Sequence, residues 1–514
     1  MSEITDGNGN LTRIERDTEG APAAVLSSDG QRTSLTLDTR GYLASVQNPA
    51  GDTFRMEYTA EGLVTRFADP KGQASTFEYD ALGRLTQDVN AGGGGWTVMA
   101  TDHARGYTTH MTTAEGRTTG FSVEHLATGD RRQVNTSPGG AVRARLFNTG
   151  RYEEITTGPG GTLTTVLEGP DPRFGMLAPF PASVTVKLPS GLTSTTTTAR
   201  TATLAHPNDR LSLTGLTETT TRNGKPYESQ FDATAVTFTA TSPLGRSVTT
   251  TVNPRGRPQK LVVPGLAEVV LTYDTRGRLL GTTQGEGTEA RSMSLNYFGS
   301  GPSQGYLESR TDALGRTVEY DYDLAGRVTR KTLPDGRAVR YGYDPNGNLT
   351  SLFPPGQPAH LFDYTVLDQE KDYTPPAVDT FDPATHYTYN RDKQLELITR
   401  PDGKVLDFVY DGAGRPQSLT APHGETAYTY DGAGRLQSLT APGGIVLTYG
   451  YDGALVTSEA HAGPVTGALS RRYDADFRVH SLSVNGASIA FGYDNDSLLT
   501  SAGSLALTRN LEPP

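Results

Sequence analysis

The chain has 514 residues, a formal net charge of −11 and no cysteine, and it is rich in glycine (59) and proline (32). The lack of cysteine excludes disulfide bonds and thiolate metal sites, and an acidic chain without a basic stripe argues against a nucleic-acid partner. Only 35% of residues are hydrophobic and no sustained helical period of apolar residues occurs, so the composition predicts an all-β chain of short strands and many turns.

The two ends of the chain show no targeting segment. The N-terminal stretch MSEITDGNGNLTRI has no charged region followed by an apolar one, and no apolar run reaches membrane-spanning length. A repeated phrase is already under way at Asp6, and the sequence stops at LALTRNLEPP. We therefore expect a piece of a longer protein, with any targeting signal outside it.

Residues 1–90 repeat a pattern with a period near 21 residues. Leu37, Tyr58 and Tyr79 are 21 positions apart, and each is followed by a turn-forming segment. A period of this length, with two turns in each copy, is typical of one β-hairpin and its link to the next. This segment is predicted to form N-terminal hairpin repeats.

Between residues 91 and 250 the phrase fades. Segments such as TSTTTTARTATL (193–204) and AVTFTATSPLGRSVTTTV (235–252) stay rich in threonine and valine, which favour strands. We interpret 91–250 as diverged, strand-rich repeats of the same sheet, with longer loops near 168–181. A separately inserted β region is the alternative.

Residues 251–514 carry the clearest copies. The steps between related tyrosines are 20–22 residues except for one step of 25, which contains DYTPPAVDTFDPATHY (372–387). That step predicts a loop insertion near 365–386, at a hairpin tip. The tyrosines are Tyr322, Tyr343, Tyr364, Tyr389, Tyr410, Tyr430, Tyr451, Tyr473 and Tyr493.

Each copy can be divided into two turns and two strands. The segment 411–415, Asp-Gly-Ala-Gly-Arg, predicts a tight turn, because the Asp side chain can accept bonds from nearby amides and the second glycine permits positive φ. A strand such as RLQSLT (435–440) follows, then a Pro/Gly turn such as 442–444, and then a returning strand. Stability should therefore be a sum over neighbouring hairpins rather than the product of one central core.

Large apolar residues stand two positions before the motif tyrosines and therefore share their face of the strand. This alternation predicts aromatic ladders along one side of the sheet. If Phe408 and Tyr428 are buried there, replacing either with alanine should cost about 3–5 kcal/mol. The residues are Met56, Phe77, Leu271, Tyr320, Tyr341, Phe362, Tyr387, Phe408, Tyr428, Tyr449 and Phe491.

The recurring Tyr-Asp-x-x-Gly-Arg phrase resembles the YD/RHS-repeat proteins: bacterial Rhs proteins, the B–C components of Tc toxin complexes, and teneurins. The matches cover 1–90 and 250–514, and the pattern is most similar to bacterial teneurin-like YD proteins. The resemblance implies a strip of hairpins that spirals into a hollow shell, enclosing a cargo polypeptide in toxin members and serving adhesion in teneurins. The Asp-Pro-x-Gly segment linked to self-cleavage in toxin members does not occur after Tyr493, so no self-cleavage residue is assigned.

The candidate site residues are the repeat motif itself, to which we assign a structural role. They are Tyr79, Asp80, Gly83, Arg84, Tyr273, Asp274, Gly277, Arg278, Tyr322, Asp323, Gly326, Arg327, Tyr343, Asp344, Tyr410, Asp411, Gly414, Arg415, Tyr430, Asp431, Gly434, Arg435, Tyr451, Asp452, Tyr473, Asp474, Tyr493 and Asp494.

No catalytic residue, metal site or cofactor is predicted. The segments 6–10 and 344–348 resemble the start of a calcium loop, but each lacks the glutamate at position twelve and falls where other copies have a turn. The motif carboxylates recur at equivalent positions, which favours turn capping over acid–base pairs. The nine histidines match no zinc signature.

The function expected from this pattern is a non-enzymatic shell segment that encapsulates or presents a polypeptide such as a toxin. An extracellular adhesion or ligand-binding scaffold of teneurin type is the alternative, and a carbohydrate-active enzyme is a remote one. Expected partners are a cargo polypeptide or neighbouring domains of the parent chain, or a cell-surface protein or glycan, but no nucleic acid. The parent protein is expected to be secreted or displayed at the cell surface.

Overall fold

The structure is a computed structural model that describes residues 2–377 and 383–508. Within these residues the chain is all-β, with one short 3-10 turn at Gly287–Glu289. Part of the predicted loop insertion, 378–382, lies outside the described residues. Among the described residues no helix is long and apolar enough to cross a membrane.

The strands are short and follow one another along the chain. The first group is β1 (Glu3–Thr5), β2 (Leu11–Arg16), β3 (Pro22–Leu26), β4 (Arg32–Leu37), β5 (Leu43–Gln47), β6 (Thr53–Tyr58), β7 (Val64–Ala68), β8 (Ala74–Tyr79), β9 (Leu85–Val89), β10 (Gly95–His103), β11 (Gly106–Thr113), β12 (Thr118–His125), β13 (Arg131–Thr136), β14 (Val142–Asn148) and β15 (Glu153–Thr157). The second group, which contains the longest strands, is β16 (Leu163–Asp171), β17 (Gly175–Lys187), β18 (Thr193–Leu204), β19 (Leu213–Arg222), β20 (Lys225–Asp232), β21 (Thr237–Thr241), β22 (Ser247–Val252) and β23 (Pro258–Val262).

The remaining strands carry most copies of the motif. They are β24 (Val269–Tyr273), β25 (Leu279–Gln284), β26 (Arg291–Tyr297), β27 (Leu307–Thr311), β28 (Thr317–Tyr322), β29 (Val328–Thr332), β30 (Ala338–Tyr343), β31 (Leu349–Phe353), β32 (His360–Tyr364), β33 (Glu370–Thr374), β34 (Thr385–Tyr389), β35 (Leu395–Thr399), β36 (Val405–Tyr410), β37 (Pro416–Ala421), β38 (Gly424–Tyr430), β39 (Leu436–Ala441), β40 (Ile445–Asp452), β41 (Leu455–Ala462), β42 (Gly467–Tyr473), β43 (Val479–Val484), β44 (Ala487–Tyr493), β45 (Leu499–Ala502) and β46 (Leu505–Ala506).

Each strand pairs antiparallel with the next along the chain, so the ladder is built by local hairpins. This confirms the predicted tandem β-hairpin architecture. Pairing between sequence neighbours closes only short loops, which keeps the entropic cost of each added hairpin small.

A β-bulge stands beside the motif tyrosines. Tyr430 lies opposite Leu436, whereas Thr429 lies opposite Ser438, so β39 holds one residue more than β38 at this point. Because of the bulge, Leu436 and Leu439 both lie opposite an aromatic residue although they are three positions apart. The same shift precedes Tyr79, Tyr322, Tyr473 and Tyr493.

The side chains of this sheet are mostly half-buried. The buried hydrophobic side chains of the described residues are few and scattered: Ala24, Ala68, Phe180, Leu188, Val252 and Ala384. Phe408 and Tyr428 are on the alternating pattern as predicted, but both are only partly buried. The condition of burial set for a cost of about 3–5 kcal/mol is therefore met only in part, because a ladder of hairpins covers each ring mainly by its neighbours in the sheet.

Two compact units are present, and each combines an early and a late part of the chain. Unit 1 gathers residues 1–98, 112–116 and 269–407, and unit 2 gathers 99–111, 117–268 and 408–514. The predicted segments 1–90, 91–250 and 251–514 describe motif density along the sequence and stay a prediction.

Candidate functional site: the Tyr-Asp turns and the turns that dock on them

The turn at 431–435 shows how one copy of the motif is built. The N–H of Gly434 donates to the Asp431 carbonyl and the N–H of Asp431 donates to the Arg435 carbonyl, both at 2.9 Å. Asp431 Oδ1 accepts from the N–H groups of Ala433 and Arg435 at 2.9 Å. Gly434 has φ +82°, a left-handed conformation that glycine adopts without strain. The connection is therefore the common hairpin loop in which a turn is followed by one left-handed residue.

The arginine that ends the turn links it to the next copy. Arg435 Nε donates to Asp431 Oδ2 at 2.8 Å, and the guanidinium carbon lies 4.5 Å from the centre of the Tyr451 ring. The Tyr451 hydroxyl in turn donates to the Leu436 carbonyl at 2.7 Å. One repeat's aspartate therefore holds the arginine that packs on the next repeat's tyrosine.

The bond from a tyrosine hydroxyl to a backbone carbonyl of the preceding copy recurs in both units, with oxygen–oxygen distances of 2.7–2.9 Å. Burial raises the pKa of Tyr451, which keeps its hydroxyl a proton donor. The bonds are Tyr58 to Leu43, Tyr79 to Val64, Tyr322 to Leu307, Tyr343 to Val328, Tyr364 to Leu349, Tyr389 to Glu370, Tyr430 to Pro416, Tyr473 to Val456 and Tyr493 to Val479.

The aspartate–arginine bond recurs in the copies that keep both residues, at 2.6–2.9 Å between Nε and Oδ2. For Asp411, burial would raise the pKa, but the hydrogen bonds and charge of Arg415 lower it overall, and Asp274 is held low by Arg278 in the same way. Besides Asp431 with Arg435, the pairs are Asp80 with Arg84, Asp274 with Arg278, Asp312 with Arg316, Asp323 with Arg327, Asp411 with Arg415 and Asp474 with Arg478.

Within residues 2–377 and 383–508, four copies have a residue other than glycine at the left-handed position. Asp368, Lys393, Phe477 and Ser497 have φ between 58° and 68°. A side chain there costs roughly 1 kcal/mol, because its Cβ approaches the backbone. Three of these residues, all but Asp368, directly follow an aspartate at the fourth motif position, which is Ala433 in the turn described above.

In unit 1, turns from the early strands dock on turns of the late strands. The Lys71 amino group bonds Asp344 at 3.0 Å and Asp368 at 3.3 Å. The Asn346 amide donates to Asp69 Oδ2 at 2.6 Å. Burial would lower the pKa of Lys71, but its bonds to the two carboxylates raise it overall. The calcium-like segment 344–348 is thus a turn that receives a lysine.

Unit 2 contains the most buried of these docking contacts. Asp476, whose side chain is 5% exposed, accepts from the Asn223 amide at 2.5 Å and forms an ion pair with Lys225. Asn223 and Gly224 form a two-residue turn with φ of 46° and 82°, as Asn-Gly hairpins do. Arg222 adds a bond to the Asp476 carbonyl at 2.9 Å.

Other fourth-position aspartates have the same role. Asp496 accepts from the Leu244 N–H at 2.9 Å and pairs with Arg246 in unit 2. Asp392 accepts from the Thr113 hydroxyl at 2.6 Å and the Glu115 N–H at 3.2 Å in unit 1. These side chains join strands that lie about 250–280 residues apart in the sequence.

The whole chain, residues 1–514, matches the teneurin YD-shell family. The chain belongs to this family. The identification agrees with the expected YD/RHS repeat, and the match covers the residues of both units.

Solved structures similar to this YD-shell chain include a Tc holotoxin pore of Photorhabdus luminescens, at 14% identity over 97% of this chain and 34% of that one, with a TM-score of 0.48. A TcdB2–TccC3 structure aligns at 12% identity over 99% of this chain and 38% of that one, with a TM-score of 0.34. A curated relative, double-stranded DNA deaminase toxin A of Burkholderia cenocepacia (strain H111), is 29% identical over 106 residues, which are 21% of this chain and 7% of the relative. The chain thus spans well under half the length of each of these proteins.

The docking residues of the YD-shell are what sequence reasoning missed. Asp392, Asp476 and Asp496 share the pattern of a tyrosine, an aspartate or asparagine, any residue, and then a second aspartate. In this pattern the second aspartate takes the place of the usual small residue before the left-handed position. The substitution was the sequence signal that could have indicated the docking residues. Within the described residues no group of three or more His, Asp or Glu side chains is arranged to hold a metal ion.

Proposed function

We propose that this YD-shell chain is a non-enzymatic scaffold segment of a shell that encapsulates or presents a polypeptide cargo, such as a toxin, in a secreted or cell-surface parent protein. The observation that carries the proposal is the match to the YD-shell family over residues 1–514. The resemblance of the repeat to toxin shells and the short similarity to a deaminase toxin support a toxin-associated role.

The chemistry of the motif supports a scaffold rather than an enzyme. Asp411 and Asp431 bond the amides of their own turns, and their remaining carboxylate oxygens bond Arg415 and Arg435. Carboxylates whose pKa is held low in this way are poor general acids at neutral pH. We also propose that 91–250 belongs to the same repeat architecture, which the consecutive pairing of β12 to β22 supports.

The cargo role can be tested with a reporter. A disordered polypeptide with a site-specific protease sequence is joined to the chain, and its cleavage rate is compared with that of the same reporter on an unrelated carrier. Encapsulation predicts cleavage at least about tenfold slower on the chain, a factor equivalent to about 1.4 kcal/mol of protection. Equal rates on both carriers would argue against enclosure.

The adhesion role is the second candidate, because the matched family is named for teneurins. It predicts that the full chain binds intact cells and that protease treatment of the cell surface abolishes this binding. Cell binding together with an unprotected reporter would favour adhesion over cargo.

A further inference from the structure

Two adjoining cavities lie on one face of unit 2, and we call them together the Arg143 groove. Their volumes are about 540 Å³ and 380 Å³, and both are lined by Asn135 and Arg143. Phe121, Pro138 and Ala413 line the larger cavity. The groove therefore joins an apolar end to a polar end.

Strand register places the polar side chains of the groove together. Asn135 lies opposite Arg143, and Gln133 lies opposite Arg145, across β13 and β14. Phe121 of β12 lies opposite Asn135 and so belongs to the same face. Within the described residues, the side chains of Gln133, Asn135 and Arg143 make no hydrogen bond or ion pair, and Asn135 and Arg143 are exposed.

The charges around the groove leave one cation without a partner. Arg145 bonds Glu154 at 2.5 Å, and Arg415 bonds Asp411 at 2.8 Å, so each has a carboxylate. Arg143 has no carboxylate partner among the residues that the structure describes, although the chain as a whole carries a net charge of −11. An unpaired guanidinium beside two free amides is suited to a carboxylate and to the backbone of an extended peptide.

We propose that the Arg143 groove binds an extended acidic segment of the cargo polypeptide. A glutamate or aspartate of that segment pairs with Arg143, its backbone bonds Asn135 and Gln133, and a neighbouring apolar side chain enters the cavity beside Phe121. The occupant is acidic because the groove offers a cation in an otherwise acidic chain, and apolar in part because prolines, alanines and a phenylalanine line its other end. This inference rests on the proposed cargo role.

The test uses the full chain and a short capped, fluorescein-labelled peptide of alternating glutamate and leucine, followed by fluorescence anisotropy. Arg143→Gln should weaken binding about tenfold or more, as expected when a charged hydrogen bond is lost. Arg132→Gln is the matched control, because Arg132 is exposed on the other face of β13, opposite Leu146. A peptide with glutamine in place of glutamate should bind both the original chain and Arg143→Gln equally weakly.

Three outcomes would overturn the inference. The first is equal loss of binding in Arg132→Gln and Arg143→Gln, which indicates a general charge effect. The second is a glutamine peptide that still distinguishes the two proteins. The third is an oligonucleotide that binds more tightly than the peptide and depends equally on Arg143.

The reporter experiment separates this inference from the proposed function. If the reporter is protected but the peptide shows no dependence on Arg143, the groove inference fails and the cargo role stands. If the peptide binds through Arg143 but the reporter is unprotected, the cargo role fails and the groove remains a peptide site. Circular dichroism of Arg143→Gln and Arg132→Gln verifies that both variants retain the strand structure.

Discussion

At the scale of single residues, the motif places a glycine where the turn requires positive φ, so this backbone conformation costs little free energy. Gly434 has positive φ, whereas Gly432 in the same turn does not. The two glycines occupy one short loop and differ in the conformation they require. Only Gly434 needs the conformational freedom that the missing Cβ provides.

Gly434→Ala should therefore destabilise the protein by about 1 kcal/mol, while Gly432→Ala should change stability by less than about 0.5 kcal/mol. A Cβ at Gly434 would meet only ordinary contact, 3.7 Å from Arg415, and one at Gly432 would meet nothing within 4 Å. The difference between them therefore measures backbone strain. Urea unfolding of both variants checks it, and equal effects would show that φ is not the cause.

For the copies with a residue other than glycine at the left-handed position, we expect the opposite effect of substitution. Ser497 is exposed and has φ +68°. Ser497→Gly should raise the free energy of unfolding by about 0.5–1 kcal/mol, because relief of strain outweighs the added entropy of the unfolded chain. The midpoint of denaturant unfolding measures it, and a lower midpoint would contradict the strain argument.

At the scale of the hairpin, the tyrosine hydroxyl joins one repeat to the one before it. Tyr451 donates to the Leu436 carbonyl at 2.7 Å, whereas Tyr449, on the same strand, makes no hydroxyl bond within the described residues. Tyr451→Phe should cost about 1 kcal/mol and Tyr449→Phe less than about 0.5 kcal/mol. Thermal or urea unfolding compares them, and equal costs would mean that the hydroxyl bond adds nothing.

Partial burial also sets the cost of removing an aromatic ring. Phe408 is half-buried and Val409, its neighbour on the other face, is 43% exposed. Phe408→Ala should cost about 1–2 kcal/mol, below the range for fully buried rings, and Val409→Ala less than that. A loss above about 3 kcal/mol in urea unfolding would mean that the ring is covered in solution by something beyond its sheet neighbours.

Most of what could be predicted from the sequence concerns single hairpins. Spacing and turn chemistry were enough for the strands, because each depends on residues within one or two repeats. The bulge was missed: Leu436 and Leu439 are three apart, and simple alternation places them on opposite faces until the extra residue is known. The hydrogen bond from the Tyr451 hydroxyl to the Leu436 carbonyl was not predicted either. It depends on the distance between two strands, which the residue pattern of one strand does not give.

At the largest scale, each unit is held by contacts between turns far apart in sequence. The Asn223 turn meets Asp476 across 253 residues, and Lys71 meets Asp344 across 273. A single sequence does not encode which distant turns meet, because that depends on the accumulated twist of every hairpin between them. The fourth-position aspartates show only where such meetings occur.

Asp476 gives a test of docking within unit 2. Burial alone would raise its pKa, but the hydrogen bond and charge of Lys225, the Asn223 amide and the charge of Arg478 lower it overall. A carboxyl group with a lowered pKa contributes stability that is present above its unfolded value, about 3.9, and is lost as the pH falls through its folded value. The contribution of Asp476 should therefore be complete at neutral pH and disappear in the acid range below about pH 4.

Asp476→Asn should cost about 2 kcal/mol at pH 7, because it leaves Lys225 without its charged partner. It should also cost progressively less as the pH falls below about 4, where the original carboxylate is itself protonated. Hydrogen exchange of the 223–225 amides should accelerate in this variant at pH 7, since these residues form the docked turn. Asp321→Asn is the control, because Asp321 is 57% exposed and pairs only at 3.6 Å with Arg330. A cost for Asp476→Asn that does not change with pH would show that the docking depends on shape rather than on the charge of Asp476.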